Sequence, residues 1–353
     1  MAPLPTEIND RARLSIFTWL CGCAALIFCM VVLGGTVRLT GSGLSMVDWH
    51  LLMGAIPPIG ENAWTRAFEQ YQQFPEYRLV NSDMLLSEFK FIYLMEYAHR
   101  LLGRLIGVVF VFPFAFFLFT GRVSTRLFPR LCFLMLLGAL QGGMGWYMVK
   151  SGLVDDPQVS QYRLTLHFML AALIYAYMIR VIIGLSPNLR LPQVSGLKYL
   201  SLVVLASLLV MMITGGLVAG TKAGFIFNTF PLMANQWVPD QIFDLSPIWI
   251  NMTENPVAIQ FVHRWLAIFV FLVISLCGFL LVRLNASKLA TALGIALILM
   301  VFLQVILGIL TLVMRVPLHL GVAHQGGAFL LLTLVSVVVS AFFQKLHTHN
   351  ATQ

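Results

Sequence analysis

The chain has 353 residues, of which 59% are hydrophobic and only 10% are charged, and its mean hydropathy is +0.88. Soluble domains carry about 25% charged residues, so this composition excludes a soluble globular protein and predicts an all-α integral membrane protein. The formal net charge is +8, but the basic residues are scattered between apolar runs, which argues against nucleic acid as a partner.

Apolar runs long enough to cross a bilayer occur eight times along the chain. In order, they cover about Ile16–Gly35, Phe91–Thr120, Leu127–Val149, Leu164–Leu185, Tyr199–Ala219, Val257–Leu284, Leu289–Met314 and Leu318–Phe343. Long segments follow the first run (residues 36–90) and the fifth run (residues 220–256). Both segments are rich in Trp and Pro, so we expect them to form short helices at the membrane surface.

The charges of the connecting segments predict the orientation. One side holds short basic loops, for example around Arg122, Arg126 and Arg130, while the other side collects nearly all the acidic residues. By the positive-inside rule the basic side is cytoplasmic, which places both termini inside and the two long segments in the periplasm. Residues 1–13 resemble neither a cleavable signal nor a mitochondrial presequence, so we expect a multi-pass protein of a bacterial inner membrane.

The chain also contains an internal repeat. Three motifs recur in the same order: Gly34-Gly35 with Gly215-Gly216, Glu96-Tyr97-Ala98-His99-Arg100 with Gln260-Phe261-Val262-His263-Arg264, and Leu140-Gln141 with Leu303-Gln304. We therefore predict two tandem pseudo-symmetric four-helix bundles, covering residues 1–190 and 191–353. An even number of spans in each unit makes the two units parallel, related by an axis along the membrane normal.

Four histidines lie within the apolar runs at nearly the same depth: His99, His167, His263 and His324. An imidazole in hydrocarbon is costly and its default interpretation is functional. Each repeat unit contributes two of them, so we predict two bis-histidine metal sites, with iron in a porphyrin as the metal that needs only axial ligands from the protein. The alternative is a set of structural histidines bonded to backbone or water. We expect the remaining histidines, His50, His319, His347 and His349, to be solvated or interfacial.

Glu96 is the most specific candidate for a catalytic residue, because it is the only carboxylate deep within a predicted span. It precedes His99 by three residues and therefore shares its helix face. Its counterpart in the repeat is Gln260, which cannot ionise, so only the first unit has a group for proton transfer or for stabilising positive charge. A structural ion pair between Glu96 and Arg100 is the alternative.

Three arginines follow the histidines, namely Arg100, Arg104 and Arg264. Their guanidinium groups could bind carboxylates of a ligand, such as porphyrin propionates. The alternative is that these side chains extend to the outer interface to keep their charge in water.

Two longer motifs resemble a known family. Phe89-Lys90-Phe91-Ile92, continuing through Glu96-Tyr97-Ala98-His99-Arg100 to Gly103-Arg104, resembles the second-helix signature of the heme A synthases. Asn228-Thr229-Phe230-Pro231-Leu232-Met233 is similar to the signature of that family in the second outer segment. The resemblance runs from Gly34 to about Gly327. These enzymes have eight spans in two halves, and oxidise a methyl group of heme O to the formyl group of heme A for cytochrome oxidases.

The resemblance implies that His263 and His324 hold a heme b cofactor, with Arg264 beside it. It implies that His99 and His167 flank the substrate heme O, with Arg100 and Arg104 nearby, and it assigns Glu96 to the catalytic half. The implied partners are membrane lipid, a heme O synthase and an electron donor, and a homo-oligomer is compatible with the sequence. Some members carry a cysteine pair in an outer loop. The five cysteines here all lie in predicted helices, which excludes a thiol–disulfide role at the outer surface.

Two other functions are compatible with the sequence. A membrane electron-transfer cytochrome would hold two permanent bis-histidine b hemes, whereas the enzyme would hold one fixed and one exchangeable porphyrin. A transporter is less favoured, because the spans show no broken helices or polar clusters at mid-depth.

Overall fold

The computed structural model describes residues 4–5, 7–47, 56–154, 157–186, 189–192, 194–285 and 287–344. Within these ranges the chain forms eleven α-helices and no β-strand. The helices are α1 (Asp10–Leu39), α2 (Glu61–Tyr71), α3 (Pro75–Leu79), α4 (Leu86–Phe119), α5 (Phe128–Lys150), α6 (Gln161–Gly184), α7 (Ser195–Gly220), α8 (Asn251–Glu254), α9 (Pro256–Leu284), α10 (Lys288–Val313) and α11 (Leu318–Phe342). The predictions for His50, His347 and His349 concern residues outside the described ranges.

Eight of these helices are long and apolar enough to span a membrane, and each coincides with one of the predicted runs. The prediction of an all-α membrane protein with eight spans is therefore confirmed. The two long segments contain the short helices expected of them, α2 and α3 in the first and α8 with three 3-10 turns in the second. We call the end of the bundle that holds these segments the outer end, and the opposite end the inner end.

Helix α4 begins at Leu86, whereas the sequence predicts a span from Phe91. The carboxylate of Glu88 accepts a hydrogen bond from the backbone N–H of Leu85 at 2.8 Å, which satisfies a free donor at the helix start. The added turns carry Phe89, whose ring stacks on Tyr71 of α2 with centroids 5.1 Å apart, and both side chains are fully buried. Each such burial stabilises the fold by roughly 1.5–3 kcal/mol. The hydropathy pattern missed these turns because Glu88 and Lys90 interrupt it.

The spans divide into a central and a peripheral set. Helices α1, α6, α7 and α11 pack on one another at the centre, while α4 with α5 and α9 with α10 lie outside them. The main cluster of buried hydrophobic side chains lies toward the inner end. In the four helices that carry the candidate histidines this cluster begins only after the histidine, at Phe110, Ala172, Val270 and Phe329. The inner end is thus the packed core, and the histidines lie above it.

The two peripheral pairs differ in how closely they pack. Helices α9 and α10 touch along their length, and a Cβ added to Gly278 would lie 2.7 Å from the carbonyl oxygen of Gly294. Helices α4 and α5 make far fewer contacts. The repeat places Phe114 and Leu131 where the second half has these glycines, and both side chains are buried. Glycines therefore let α9 and α10 approach closely, whereas the corresponding positions of α4 and α5 carry large side chains.

Candidate paired-histidine sites

The structure brings the four candidate histidines together in two pairs. His99 of α4 is close enough to His167 of α6 to interact with it electrostatically, and His263 of α9 interacts in the same way with His324 of α11. All four side chains are partly buried, and each lies toward the outer end of its helix. Each pair belongs to one half of the repeat, so two separate sites of similar construction lie side by side.

Each imidazole ring rests against a glycine of a neighbouring helix. The contacts are His99 with Gly34 of α1, His167 with Gly145 of α5, His263 with Gly215 of α7, and His324 with Gly308 of α10. A Cβ added to these glycines would lie between 2.9 and 3.3 Å from the nearest ring atom, closer than ordinary packing allows. The position of each ring therefore depends on the absence of a side chain opposite it.

A glutamine holds the second histidine of each pair. Nε2 of Gln141 donates to the backbone carbonyl of His167 at 3.1 Å and lies 3.4 Å from its ring nitrogen Nε2. Nε2 of Gln304 donates to the carbonyl of His324 at 2.9 Å and lies 3.2 Å from ring nitrogen Nδ1. Both glutamines belong to a repeated motif, so the same residue type supports the same helical turn in both halves.

Glu96 is buried in α4, three residues before His99. Its Oε2 accepts hydrogen bonds from Ser45 Oγ at 2.7 Å and from the backbone N–H of Met46 at 2.8 Å. Its Oε1 pairs with Arg100 at 2.5 Å. All of these partners donate, which suits an ionised carboxylate because it only accepts. The Glu96–Arg100 ion pair, which was the alternative interpretation, is thus present. Glu96 also accepts hydrogen bonds from the turn that follows α1.

Arg100 and Arg264 each donate to a backbone carbonyl in the segment that follows the first helix of their own half. Arg100 Nη2 donates to the carbonyl of Met46 at 2.9 Å, and Arg264 Nη2 donates to the carbonyl of Phe227 at 2.7 Å. The glycine motifs align Met46 with Phe227, so the two bonds are equivalent. Arg264 also donates to the carbonyl of Thr229 at 2.8 Å, within the outer-segment signature. Neither sequence interpretation included this arrangement, and binding of a ligand carboxylate by Arg100, Arg104 or Arg264 stays a prediction.

A second buried carboxylate lies outside the spans. Glu76 of α3 accepts a hydrogen bond from the hydroxyl of Tyr71 at 3.0 Å, and that hydroxyl accepts one from Asn81 Nδ2 at 2.8 Å. Burial raises the pKa of Glu76 to about 7, the hydrogen bond from Tyr71 opposes the rise, and the negative charge of Glu96 adds to it. The outer segment therefore contains a group that titrates near neutral pH close to Glu96.

A cavity of about 620 Å³ opens at the outer end of α4, lined by residues that include Asn81, Glu88 and Ile92. None of the four paired histidines lines it. Ile92 precedes Glu96 by one helical turn, so the cavity lies above the carboxylate on the outer side. The candidate metal ligands therefore lie in the histidine pairs and not in this cavity.

The sequence analysis did not assign Thr214 or Glu76 to these sites, and it named Gly34 and Gly215 as part of the repeat without placing them against the rings. Thr214 binds the ring of His263, the four glycines support the rings, and Glu76 lies buried near Glu96. The repeat contained a signal for the glycines, because Gly145 and Gly308 follow Gln141 and Gln304 at equal spacing. Glu76 gave no such signal, since it lies in a polar segment whose burial depends on α2 and α4.

The chain is similar to known proteins over most of its length. Residues 17–336 match the model of the family COX15-CtaA, described as cytochrome oxidase assembly protein. The chain is 46% identical over 335 residues to the heme A synthase of Nitrosospira multiformis, covering 94% of each chain. It is 45% identical to the heme A synthase of Nitrosomonas eutropha, covering 94% of this chain and 95% of the relative, and 44% identical to that of Parvibaculum lavamentivorans, covering 91% and 92%.

Proposed function

The chain belongs to the heme A synthase family of cytochrome oxidase assembly proteins, enzymes that convert heme O to heme A, and we propose that its two histidine pairs divide the reaction between cofactor and substrate. His263 and His324 would hold a resident heme b, and His99 and His167 would flank the iron of the substrate heme O. The observation that carries this proposal is the difference between Glu96 and Gln260, because it gives a titratable group to one pair only.

The side chains present fit iron porphyrins. Among the described residues, no group of three or more His, Cys, Asp or Glu side chains could hold a bare metal ion. Two facing imidazoles are what a porphyrin iron requires, since the macrocycle supplies the other ligands. At His263 the ring nitrogen Nδ1 is already bonded to Thr214, which leaves Nε2 as the nitrogen that can coordinate.

The reaction turns a porphyrin methyl group into a formyl group, which removes electrons and hydrogen from that carbon and adds oxygen. Heme b held by His263 and His324 would supply one-electron transfer. His99 and His167 would hold the substrate by its iron in the half that contains Glu96. Glu96 would accept a proton at its carboxylate oxygens or stabilise positive charge that develops on the substrate. Ser45, Met46 and Arg100 hold Glu96 in place for this role.

The porphyrins of the purified protein test this division. Wild-type protein should contain heme b together with heme O or heme A. His263→Ala and His324→Ala should lose heme b, whereas His99→Ala and His167→Ala should keep heme b and fail to form heme A. The reverse pattern would contradict the assignment of the halves. Two fixed b hemes, without heme O or heme A in any preparation, would favour the electron-transfer cytochrome instead.

The setting of the enzyme is part of the same proposal. The short loops at the inner end carry basic residues such as Arg122, Arg126 and Arg190, so the histidine sites would face the periplasm of a bacterial inner membrane with both termini in the cytoplasm. A heme O synthase would supply the substrate and a separate electron carrier would serve the redox steps. A homo-oligomer is compatible with the exposed apolar faces of the outer helices.

A further inference from the structure

We propose that Thr214 is a positioning residue that fixes the orientation and the proton position of the His263 ring, and that the first half lacks this feature so that its porphyrin can leave. The inference rests on the proposed function, because it takes His263 as an axial ligand of heme b and His99 as part of the substrate site. Two sites built from one repeat must differ in how firmly they hold a porphyrin, since a cofactor stays bound whereas a product leaves after each turnover.

The hydrogen bonds of Thr214 determine which ring nitrogen carries the hydrogen. Thr214 Oγ1 lies 2.8 Å from Nδ1 of His263 and 2.8 Å from the carbonyl oxygen of Met211. A carbonyl oxygen only accepts, so both contacts are hydrogen bonds only when the single hydroxyl hydrogen points to Met211. The hydroxyl oxygen therefore faces the ring as an acceptor, and Nδ1 carries the hydrogen. Nε2 is left with a free lone pair, which is the form that a metal ligand requires.

The same turn of α7 also fixes the place of the ring. Gly215 follows Thr214, and a Cβ on Gly215 would lie 3.3 Å from Cε1 of His263. The ring is thus in contact with the glycine backbone and is bonded to the threonine hydroxyl beside it. Turning the ring over would break the bond at Nδ1, so one orientation is favoured.

The first half keeps the glycine but not the hydroxyl. The repeat aligns Gly34 with Gly215, so the residue that corresponds to Thr214 is Leu33, which cannot accept a hydrogen bond. The ring of His99 lies against its glycine by a different edge, because a Cβ on Gly34 would be 3.1 Å from Nε2. Nothing at Leu33 holds Nδ1 of His99 in the way that Thr214 holds Nδ1 of His263.

This difference matches the needs of the two sites. A hydrogen bond to the second nitrogen of a ligating histidine fixes its tautomer and raises its basicity, and its loss typically lowers metal affinity about 10- to 100-fold. Thr214 would therefore help the second half to retain heme b. Leu33 would leave the first half with the weaker ligand that substrate exchange requires.

Transfer of heme to excess apomyoglobin, followed by absorbance in detergent, tests the inference. Thr214→Val keeps the side-chain volume and removes the hydroxyl, and it should lose heme b about 10- to 100-fold faster than wild type. Thr214→Ser restores the hydroxyl and should stay near the wild-type rate. In protein loaded with heme O, Leu33→Thr should slow the release of heme O, while Leu33→Val controls for the change in volume.

The outcomes separate this inference from the proposed function. If His263→Ala lacks heme b while Thr214→Val releases it at the wild-type rate, the inference is wrong and the assignment of the halves stands. If His263→Ala keeps heme b with an unchanged spectrum, the proposed function is wrong. Should Thr214→Val fail to accumulate, Leu33→Thr carries the test, and an unchanged rate of heme O release would contradict the inference.

Discussion

Glu96 and Gln260 occupy equivalent positions in the two halves, but they bind the neighbouring turn with opposite polarity. Glu96 accepts from the backbone N–H of Met46 at 2.8 Å, whereas Gln260 donates to the backbone carbonyl of Phe227 at 3.2 Å. The carboxylate of Glu96 and the amide nitrogen of Gln260 are thus each matched to their own partners, while Oε1 of Gln260 is buried without a hydrogen-bond partner. The chemical difference between the halves is built into the packing of the outer turns.

Glu96→Gln should lower conversion of heme O to heme A by roughly 10²- to 10⁴-fold, the usual worth of a positioned acid or base. Heme b content should stay normal, because the proposed cofactor site lies in the other half. The measurement is heme A formed per heme b in membranes that contain heme O. Near-normal conversion would remove Glu96 from the mechanism.

Ser45→Ala is the matched control for Glu96→Gln. It removes one hydrogen bond to the carboxylate and leaves the carboxylate itself, so it should cost roughly 1.5–3 kcal/mol, or about 10- to 100-fold in rate at most, and less than Glu96→Gln. Equal losses in Ser45→Ala and Glu96→Gln would mean that Glu96 acts only by holding the turn after α1.

Adding a methyl group opposite a histidine ring should disturb one site at a time. Gly308→Ala should lower the heme b content, because the new Cβ would lie 2.9 Å from Cε1 of His324. Gly145→Ala, at 3.0 Å from Cε1 of His167, should leave heme b in place and reduce heme A formation. Gly142→Ala is the control, since no atom lies within 4 Å of its added Cβ. Loss of heme b in Gly145→Ala would show that the two sites are not independent.

The close crossing of α9 and α10 should be sensitive to any side chain. Gly278→Ala should destabilise the protein by about 1–3 kcal/mol, because its Cβ would press on the carbonyl oxygen of Gly294. Gly107→Ala in α4 meets open space and should be neutral or stabilising by up to about 1 kcal/mol. Thermal unfolding in detergent measures both variants. Equal midpoints would contradict the close-packed crossing.

Glu76 should make the outer segment less stable as the pH rises. A carboxyl group whose pKa is raised to about 7 on folding favours the folded state at low pH, and this contribution is lost as the pH rises through 7. Protease cleavage between α2 and α4 should therefore be faster at pH 8.5 than at pH 5.5 in wild type. Glu76→Gln should reduce this difference, whereas Glu69→Gln, at an exposed position in α2, should not. The same pH response in Glu76→Gln and wild type would exclude Glu76 as its source.

The proposed orientation can be checked with reporter fusions. Fusions after Gly121 and Asn285, between spans at the inner end, should report cytoplasm. Fusions at Asn62 in α2 and at Asp240 in the second outer segment should report periplasm. An inverted pattern would place both histidine pairs on the cytoplasmic side.

The bounds of the spans show which parts of the fold could be predicted from the sequence. Hydropathy located all eight because a bilayer demands about 20 apolar residues in each, a requirement that acts along the chain itself. It misplaced the start of α4, where Glu88 caps the helix and Phe89 packs on Tyr71. That extension depends on an aromatic contact with another helix, which hydropathy does not record.

The sequence by itself determined the membrane class, the two-fold repeat, the histidines of each half and the asymmetry between Glu96 and Gln260. These follow from composition and spacing along one dimension. Only the tertiary structure decided that Arg100 and Arg264 bind equivalent backbone carbonyls, that glycines face the rings, that Glu76 is buried, and that Thr214 is bonded to His263. Each of these is a contact between segments distant in sequence, and its energy depends on distance and direction in the folded chain.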